Sequence, residues 1–296
     1  MQIVVASKPA DRPGRGGAVG ARTAARLAEL GHEVRHVAAA DYRGQLEQSR
    51  FAMTTADALV VVGGDGMVHL GVNIVGGTSK RLVIVPAGSG NDFAASLGIR
   101  SAEQALDELE AALAADPERF DLVRIEHPEG VSLAAGVVSV GFDADVTVRS
   151  NRFTRVPSAL RYRAAIVATL LRPRHRTFRM RFDGGEERSW RTLIAAIANN
   201  GTFGGGVPIA PSASLHDGRL TAVLADEVSY PRFLITLAKA MRGTHAADPR
   251  VHILDCESVD IASDDAVTVC ADGEIVGRLP VRCTAMPGAL QVLRAP

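Results

Sequence analysis

The chain has 296 residues, 47% of them hydrophobic, and its 33 basic side chains balance its 33 acidic ones. This composition predicts compact globular structure and argues against a disordered chain or one that binds nucleic acid through its net charge. At roughly 100 to 200 residues per domain, the length predicts two domains, although a single domain stays open.

The cysteines and the apolar runs indicate in which cellular compartment the protein is expected. Three cysteines, Cys256, Cys270 and Cys283, have no Cys-x-x-Cys spacing, which favours a reducing cytoplasm over a secreted disulfide framework. The first residues predict a buried strand rather than a signal peptide. Apolar runs such as 58–62 and 233–238 are far shorter than the roughly 20 residues of a bilayer-spanning helix, so any membrane contact is expected to be peripheral.

The first 125 residues alternate β-branched runs with helical stretches, a pattern that predicts βαβ units and a parallel sheet. The expected strands are 3–6, 33–37, 58–62 and 82–85. Apolar residues between Val19 and Leu30 predict a crossover helix that ends at Gly31. Ser101 and Gln104 predict a capping box for a helix that continues through Leu113.

Beyond about residue 120, strand-like runs broken by Gly, Asp and Pro predict an antiparallel second domain. The expected strands are 122–126, 134–140, 192–198, 220–224 and 266–270. Two helical insertions, roughly 157–171 and 231–241, each have a proline near their start, where the missing N–H costs least.

Two glycine-rich acidic turns follow neighbouring strands of the predicted parallel sheet. Gly63-Gly64-Asp65-Gly66 follows strand 58–62, and Pro86-Ala87-Gly88-Ser89-Gly90-Asn91-Asp92-Phe93 follows the next one. Both turns fall at the same sheet edge, so Asp65 and Asp92 are expected in one crevice. Glycine N–H groups can approach a phosphate, and a carboxylate beside it indicates a bridging Mg²⁺. Taken alone, the first motif could equally be a tight turn with a solvated aspartate.

These turns resemble the catalytic signature of the diacylglycerol kinase family, which includes bacterial lipid kinases and sphingosine and ceramide kinases. The resemblance covers nearly the whole chain, because further motifs follow in the family's order: Gly141-Phe142-Asp143-Ala144, Asn200-Gly201, Gly205-Gly206, Ala210-Pro211, Asp217-Gly218-Arg219-Leu220 and Asp272-Gly273-Glu274. It implies transfer of the γ-phosphate of ATP, with Mg²⁺, to a lipid hydroxyl, most simply from diacylglycerol to phosphatidate. It also implies an NAD-kinase-like α/β domain, 1–122 joined by 284–296, and a C-terminal antiparallel β-sandwich, 123–283.

The resemblance assigns roles to individual residues. The implied ATP-binding residues are Gly63, Gly64, Asp65, Gly66, Met67, Gly88, Ser89, Asn91 and, in the turn after the first strand, Lys8. Asp65 and Asp92 would organise the catalytic Mg²⁺. Asp272 is the first choice for the catalytic base, with Glu274 as its partner or replacement; a simple Asp-Gly hairpin turn is the alternative, and both can hold at once. Asp217, with backbone carbonyls of Ser214 and Arg219, would hold a structural Mg²⁺ unless this stretch is only a capped surface turn.

The chain departs from the family pattern at Met67, where a Thr is usual, at Leu70, where a Glu is common, and at Ser7-Lys8-Pro9, where an Asn-Pro pair is common. The acidic residues all remain, so activity is expected. The alternatives are a kinase for sphingosine, ceramide, a glycolipid or a soluble hydroxyl compound, and a catalytically silent nucleotide-binding regulator. Neither the acceptor lipid nor the oligomeric state follows from the sequence, and a homodimer stays open.

A basic segment without any acidic residue lies between Asp145 and Asp183. Its arginines are Arg149, Arg152, Arg155, Arg161, Arg163, Arg172, Arg174, Arg176, Arg179 and Arg181. The segment predicts peripheral contact with an anionic membrane, to which Tyr162, Ile166, Leu170 and Leu171 would add apolar surface. The alternative is a solvated arginine face, or arginines paired with acids elsewhere.

Overall fold

The computed structural model describes residues 1–9, 16–153, 158–171, 174–204 and 206–296; the side chains at 151, 158, 159 and 161–163 lie outside the description. The chain divides into two compact units, Met1–Leu122 with Met286–Pro296, and Val123–Ala285. Within the described residues, no helix has the length and apolar character needed to cross a bilayer.

The elements of the described chain, numbered in chain order, are β1 (Gln2–Ser7), α1 (Gly16–Glu29), β2 (Glu33–Val37), α2 (Tyr42–Ala52), β3 (Ala58–Gly63), α3 (Asp65–Val75), β4 (Arg81–Pro86), α4 (Asp92–Ser96), α5 (Ala102–Asp107), α6 (Leu109–Ala114), β5 (Glu118–His127), β6 (Gly130–Ala134), β7 (Val137–Gly141), α7 (Phe142–Arg152), α8 (Ser158–Leu170), β8 (Arg176–Phe182), β9 (Glu187–Thr192), β10 (Ile194–Ala198), β11 (Leu220–Ala225), α9 (Tyr230–Ala240), a 3₁₀ turn (His245–Ala247), β12 (Val251–Cys256), β13 (Ser258–Ala262), β14 (Thr268–Ala271), β15 (Glu274–Arg278) and β16 (Val281–Val292).

The first unit contains the predicted parallel sheet, in the order β2-β1-β3-β4. Strand β3 is buried along its whole length and β4 along all but its first residue, as expected for parallel strands covered on both faces. At the end of the chain, Gln291 and Val292 of β16 pair in parallel with Arg81 and Leu82 of β4. The last strand therefore extends the sheet of the first unit.

Helix α1 ends as the sequence predicts. Gly31 has φ +81°, and the N–H of His32 donates to the carbonyl of Leu27, the pairing expected when a glycine terminates a helix. The helix predicted from Ser101 through Leu113 is instead two short helices, α5 and α6, separated at Glu108. The capping box is also only half formed, because the side chain of Gln104 accepts from the N–H of Arg100 rather than from that of Ser101.

The second unit is a β-sandwich, as predicted. One sheet has the antiparallel order β12-β11-β10-β7-β14-β15, and β8, β9, β13 and the first part of β16 form an antiparallel group. Buried side chains from both groups, such as Val140 and Ile197 from the first and Phe178 and Val259 from the second, share one core. This apolar burial is what holds the two layers together.

Two predicted strands of the second unit are wrong in the same way, because each is interrupted. The run 134–140 divides into β6 and β7 at Ala135-Gly136, whose N–H groups donate to the Asp272 carboxylate instead of to a strand. The run 192–198 divides at Leu193, whose carbonyl accepts the N–H of Phe142, the first residue of α7. Contacts with distant parts of the chain thus override the local strand pattern.

Candidate active site

The two glycine turns of the first unit are in direct contact. Strands β3 and β4 end side by side, and the N–H of Ala87 donates to the carbonyl of Gly63 at 2.8 Å. A Cβ placed on Gly88 would lie 2.3 Å from the Cα of Gly64, so the backbones meet where neither residue has a side chain. Position 88 therefore requires glycine for steric reasons alone.

Asp65 ties the second turn to the start of α3. Its carboxylate accepts the N–H of Asn91 at 2.9 Å and that of Phe93 at 3.4 Å. Asn91 adopts the left-handed conformation, with φ +60°, and its side chain binds both the N–H and the carbonyl of Gly88. A Cβ on Gly90 would lie 2.7 Å from the Asp65 carboxylate. The geometry of the whole loop thus depends on one acidic side chain.

The charges of the crevice favour a cation. Burial raises the pKa of Asp65, and the negative charge of Asp92 raises it further, while backbone N–H groups of Phe93, Asn91 and Asp92 oppose the shift. A divalent cation would reverse this repulsion. Mg²⁺ is commonly held by one or two carboxylates together with substrate phosphates, and Asp65 with Asp92 fits that pattern. Among the described residues, no three His, Cys, Asp or Glu side chains form a group that could hold a metal.

The remaining residues predicted to bind ATP differ in accessibility. Ser89 and Lys8 are exposed, and Gly64 and Gly66 are half-buried. Met67 is buried and lies beneath the turn, since a Cβ on Gly63 would meet its side chain at 2.5 Å. Leu70 is also buried, so both departures from the family pattern are core residues here.

In the second unit, Asp272 is both a turn residue and an anchored carboxylate. Asp272 and Gly273 have φ +51° and +81°, and they connect β14 to β15 as a two-residue hairpin turn. The Asp272 carboxylate accepts the N–H of Ala135 at 3.1 Å and that of Gly136 at 2.8 Å. Two amides from one interrupted strand thereby fix the orientation of the carboxylate.

A further residue holds the two amides in place. The backbone N–H of Asn199 donates to the carbonyl of Gly136, and its side-chain amide donates to that of Ala135, each at 2.9 Å. Asn199 is fully buried and directly follows β10. No sequence motif marks Ala135, Gly136 or Asn199 as functional; the nearest is Asn200-Gly201.

Several carboxylates lie close to the Asp272 hairpin. Burial raises the pKa of Cys270 on β14 to about 12, and negative charges on Asp143, Glu274 and Asp145 add to that shift. Asp143 is buried and accepts the hydroxyl of Ser139 at 2.6 Å, whereas Asp145 forms a two-point ion pair with Arg176. Glu274 is half-buried at the first position of β15. The hairpin therefore has acidic surroundings, in which Arg176 offsets the charge of Asp145.

The segment around Asp217 has the geometry of a capped turn. The Asp217 carboxylate accepts the N–H of Arg219 at 3.0 Å, and the Ser214 hydroxyl accepts that of His216 at 3.2 Å. A capped surface turn, which is the alternative to a structural Mg²⁺ site, requires these hydrogen bonds. A metal-binding role for Ser214, Asp217 and Arg219 stays a prediction, as do the catalytic and ligand roles of the other predicted site residues.

The basic segment is partly neutralised by ion pairs. Arg176 binds Asp145, Arg179 binds Asp264 at 2.7 Å, and Arg181 lies 3.8 Å from Glu187. Ile166 and Leu170 pack against a buried cluster instead of facing outward, whereas Leu171 is exposed. Arg155 and Arg172, and the side chains of Arg161, Tyr162 and Arg163, lie outside the described residues.

The comparisons with known proteins agree with the fold. Residues 14–125 match the diacylglycerol kinase catalytic domain, and residues 136–294 match the YegS C-terminal NAD kinase beta sandwich-like domain. These matches define the class as a phosphotransferase that uses an alcohol group as acceptor. The chain belongs to the diacylglycerol kinase family, as its motifs predict.

Individual relatives support the same family. A diacylglycerol kinase of Mycobacterium tuberculosis is 33% identical over 267 residues, covering 89% of this chain and 82% of that protein. The crystal structure of a diacylglycerol kinase from Bacillus anthracis is similar with a TM-score of 0.70 at 15% identity, covering 100% and 96% of the two chains. An NAD kinase from Archaeoglobus fulgidus in complex with ATP has a TM-score of 0.56 at 16% identity, covering 100% and 94%. The structural likenesses show the fold alone.

Proposed function

We propose that the protein transfers the γ-phosphoryl group of ATP to the hydroxyl group of diacylglycerol and produces phosphatidate. The observation that carries this proposal is the crevice of the first unit, where Asp65 fastens the glycine-rich turn after β4 beside a second carboxylate, that of Asp92. The family supplies the reaction class, and the Mycobacterium tuberculosis relative, whose name is diacylglycerol kinase, supports the choice of acceptor.

The residues of the crevice fit a nucleotide and its metal. Ser89 and Gly90 are exposed, so their backbone N–H groups can approach phosphate oxygens closely. Asp65 and Asp92 would hold Mg²⁺. When bound, Mg²⁺ supplies positive charge that offsets the charge of the phosphates and of the transferred group. Asp65 additionally keeps the glycine turn in shape, so one residue serves both binding and orientation.

Asp272 is suited to accept the proton of the lipid hydroxyl. As the oxygen of the acceptor forms its bond to the γ-phosphorus, the bond from that phosphorus to the bridging oxygen of ATP breaks and ADP leaves. The hydroxyl proton passes to the carboxylate. A positioned base of this kind contributes about 10²- to 10⁴-fold. The two N–H donors of Ala135 and Gly136 orient Asp272 for this role, and Glu274, two residues further along the chain, would assist it.

An acceptor panel tests the proposal. The purified protein, γ-labelled ATP and Mg²⁺ would be offered diacylglycerol, sphingosine, ceramide, a glycolipid and glycerol in detergent micelles. We expect labelled phosphatidate, and loss of it in Asp65→Asn but not in Asp264→Asn. Asp264 is a suitable control because its carboxylate is 89% exposed and pairs only with an arginine of β8 among the contacts described.

The other outcomes of the panel are equally informative. Labelling of sphingosine, ceramide or the glycolipid in place of diacylglycerol would reassign the acceptor, and labelling of glycerol alone would indicate a kinase for soluble alcohols. ATP binding without transfer to any acceptor would support a silent nucleotide-binding regulator and contradict the proposal.

A further inference from the structure

The outward face of helix α9 is apolar. Apart from Tyr230 at the first position, its exposed residues recur at helical spacing and are Pro231, Leu234, Ile235, Ala238 and, directly after the helix, Met241. Leu234, Ile235 and Met241 are 37%, 50% and 65% exposed. A helix that faces only water normally has polar side chains at such positions. We call this set of five residues the α9 stripe.

The other faces of α9 are occupied, so the stripe cannot turn inward. Phe233 and Leu237 pack against a cluster that includes Phe142 of α7 and Ala165 of α8. On the lateral face, Arg232 and Lys239 bind the Asp248 carboxylate at 3.1 and 3.0 Å, and that carboxylate is almost fully buried. The helix is thus held by an apolar core on one side and by ion pairs on another.

The chain segment that contains the α9 stripe carries a net positive charge. Residues 228–250 contain four basic side chains, Arg232, Lys239, Arg242 and Arg250, and one acidic side chain, that of Asp248. Arg242 and Arg250 are exposed, whereas Asp248 is buried. Asp226 and Glu227, which precede the segment, bind His252 and Arg191. The exposed part of the segment therefore combines apolar and cationic side chains.

An apolar stripe bordered by cations matches the surface of an anionic bilayer, where apolar side chains enter the headgroup region and cations stay beside lipid phosphates. A second copy of the chain fits less well, because two such faces would bring like charges together. Helix α8, which packs on the same cluster, also has an exposed apolar set, Leu160 and Val167, followed by Leu171.

We propose that the protein docks on anionic membranes through the α9 stripe, with Arg242 and Arg250 beside the lipid phosphates. This contact differs from the one expected of the basic segment, in which Arg176, Arg179 and Arg181 already have acidic partners. The proposal rests on the proposed function for the identity of the lipid substrate, but docking itself requires no catalysis.

Vesicle co-sedimentation without ATP tests the docking directly. The vesicles are phosphatidylcholine with or without phosphatidylglycerol, and the proteins are wild type, the double variant Leu234→Gln/Ile235→Gln and the control Val131→Gln. Val131 on β6 is 50% exposed, the same as Ile235. We expect the double variant to bind anionic vesicles about tenfold less tightly or worse, since two apolar side chains are lost, and the control to change less than about twofold.

A fluorescent label gives a second readout that does not depend on the double variant folding. The three native cysteines are buried and burial raises the pKa of each thiol to about 12, so an introduced surface cysteine should label selectively. A polarity-sensitive dye at Ile235→Cys should shift to the blue on anionic vesicles, and the same dye at Val131→Cys should not. Unchanged binding by the double variant, or no shift at position 235, would overturn the proposal.

Two further outcomes separate the possible causes of failure. If the double variant changes from dimer to monomer by light scattering but binds vesicles as wild type does, the α9 stripe is a self-association surface and the docking proposal is wrong. Turnover on a water-soluble short-chain diacylglycerol should survive in the double variant. If wild type shows no turnover on any acceptor and yet docks through position 235, the proposed function fails while the docking stands.

Discussion

The carboxylate of Asp65 accepts the backbone N–H of Asn91 at 2.9 Å, so a residue at the start of α3 determines the shape of the turn that follows β4. In the absence of a metal, this carboxylate is also repelled by Asp92. The structural role of Asp65 therefore needs a hydrogen-bond acceptor, whereas its proposed catalytic role needs a negative charge. A substitution that removes only the charge can separate the two roles.

Asp65→Asn should abolish phosphoryl transfer while leaving the fold intact. The amide keeps the size of the side chain and its oxygen can still accept the Asn91 N–H, but the charge that would hold Mg²⁺ is gone. We expect kcat to fall at least about 100-fold, and Mg²⁺ to raise the Tm of wild type but not that of the variant. Kinase assays and thermal melts with and without Mg²⁺ measure both quantities. Full activity in the variant would show that Asp65 does not hold the catalytic Mg²⁺.

The pH dependence of stability should reveal the same carboxylate. Because burial and Asp92 raise the folded-state pKa of Asp65 above 3.8, folding favours its protonated form. The stabilisation from protonation is complete below the unfolded value of 3.8 and disappears as pH rises through the raised folded value. In metal-free buffer, Asp65→Asn should thus be more stable than wild type at neutral pH, and the difference should shrink on acidification. Urea unfolding of both proteins at several pH values checks this; a difference that grows on acidification would contradict it.

Gly88→Ala should damage both stability and activity. Its Cβ would lie 2.3 Å from the Cα of Gly64, and neither backbone can move without displacing the Asp65 contact. We expect a loss of about 2–4 kcal/mol in the free energy of unfolding. Gly44→Ala in α2 is the matched control, since the nearest atom to its Cβ is 3.4 Å away, and it should be neutral or stabilising. Equal free energies of unfolding for the two variants would show that the two glycine turns can move apart.

Gly136→Ala should impair catalysis more than ATP binding. Its Cβ would lie 2.8 Å from the Asp272 carboxylate and would push that group out of its position. Because Gly136 belongs to the second unit and the glycine turns to the first, we expect kcat to fall about tenfold to 100-fold and the calorimetric ATP affinity to stay within about twofold. Unaltered kcat would mean that the two N–H donors do not orient a catalytic group.

The native thiols should be inert. Burial raises the pKa of Cys256, Cys270 and Cys283 to about 12, so thiolate is scarce at neutral pH and the sulfurs are shielded. Titration with a thiol reagent should show little reaction in the native protein and reaction of all three cysteines in denaturant. Rapid reaction of one native thiol would indicate local opening in the β-sandwich.

Local sequence patterns predict those parts of the fold that local physics decides. The apolar runs of β1, β3 and β4 and the glycine at the end of α1 are of this kind, and the adjacency of β3 and β4 brings the turns of Asp65 and Asp92 together. Contacts across long sequence distances leave no such pattern. The strand broken at Ala135-Gly136 has the alternation of a continuous strand, and only the Asp272 hairpin, more than 130 residues later, makes the break favourable.

The surface of α9 shows a different limit of the sequence. Its residues predict a helix and an apolar character, but they do not say which apolar side chains face the core. Only the packing of Phe233 and Leu237 and the ion pairs of Asp248 reveal that Leu234 and Ile235 face outward. For the arginines of the basic segment, the sequence shows the charges but not the ion pairs, since their acidic partners, such as Asp264, come from distant strands and loops.

The most direct test of the kinase assignment compares wild type and Asp272→Asn in one experiment, with transfer from γ-labelled ATP to diacylglycerol in mixed micelles and ATP affinity measured on the same samples. We predict labelled phosphatidate from wild type, at least about 100-fold less from the variant, and an ATP affinity that hardly changes. Wild-type protein that binds ATP but labels no acceptor, or a folded Asp272→Asn variant that works at the wild-type rate, would contradict the assignment of Asp272 as the base of a lipid kinase.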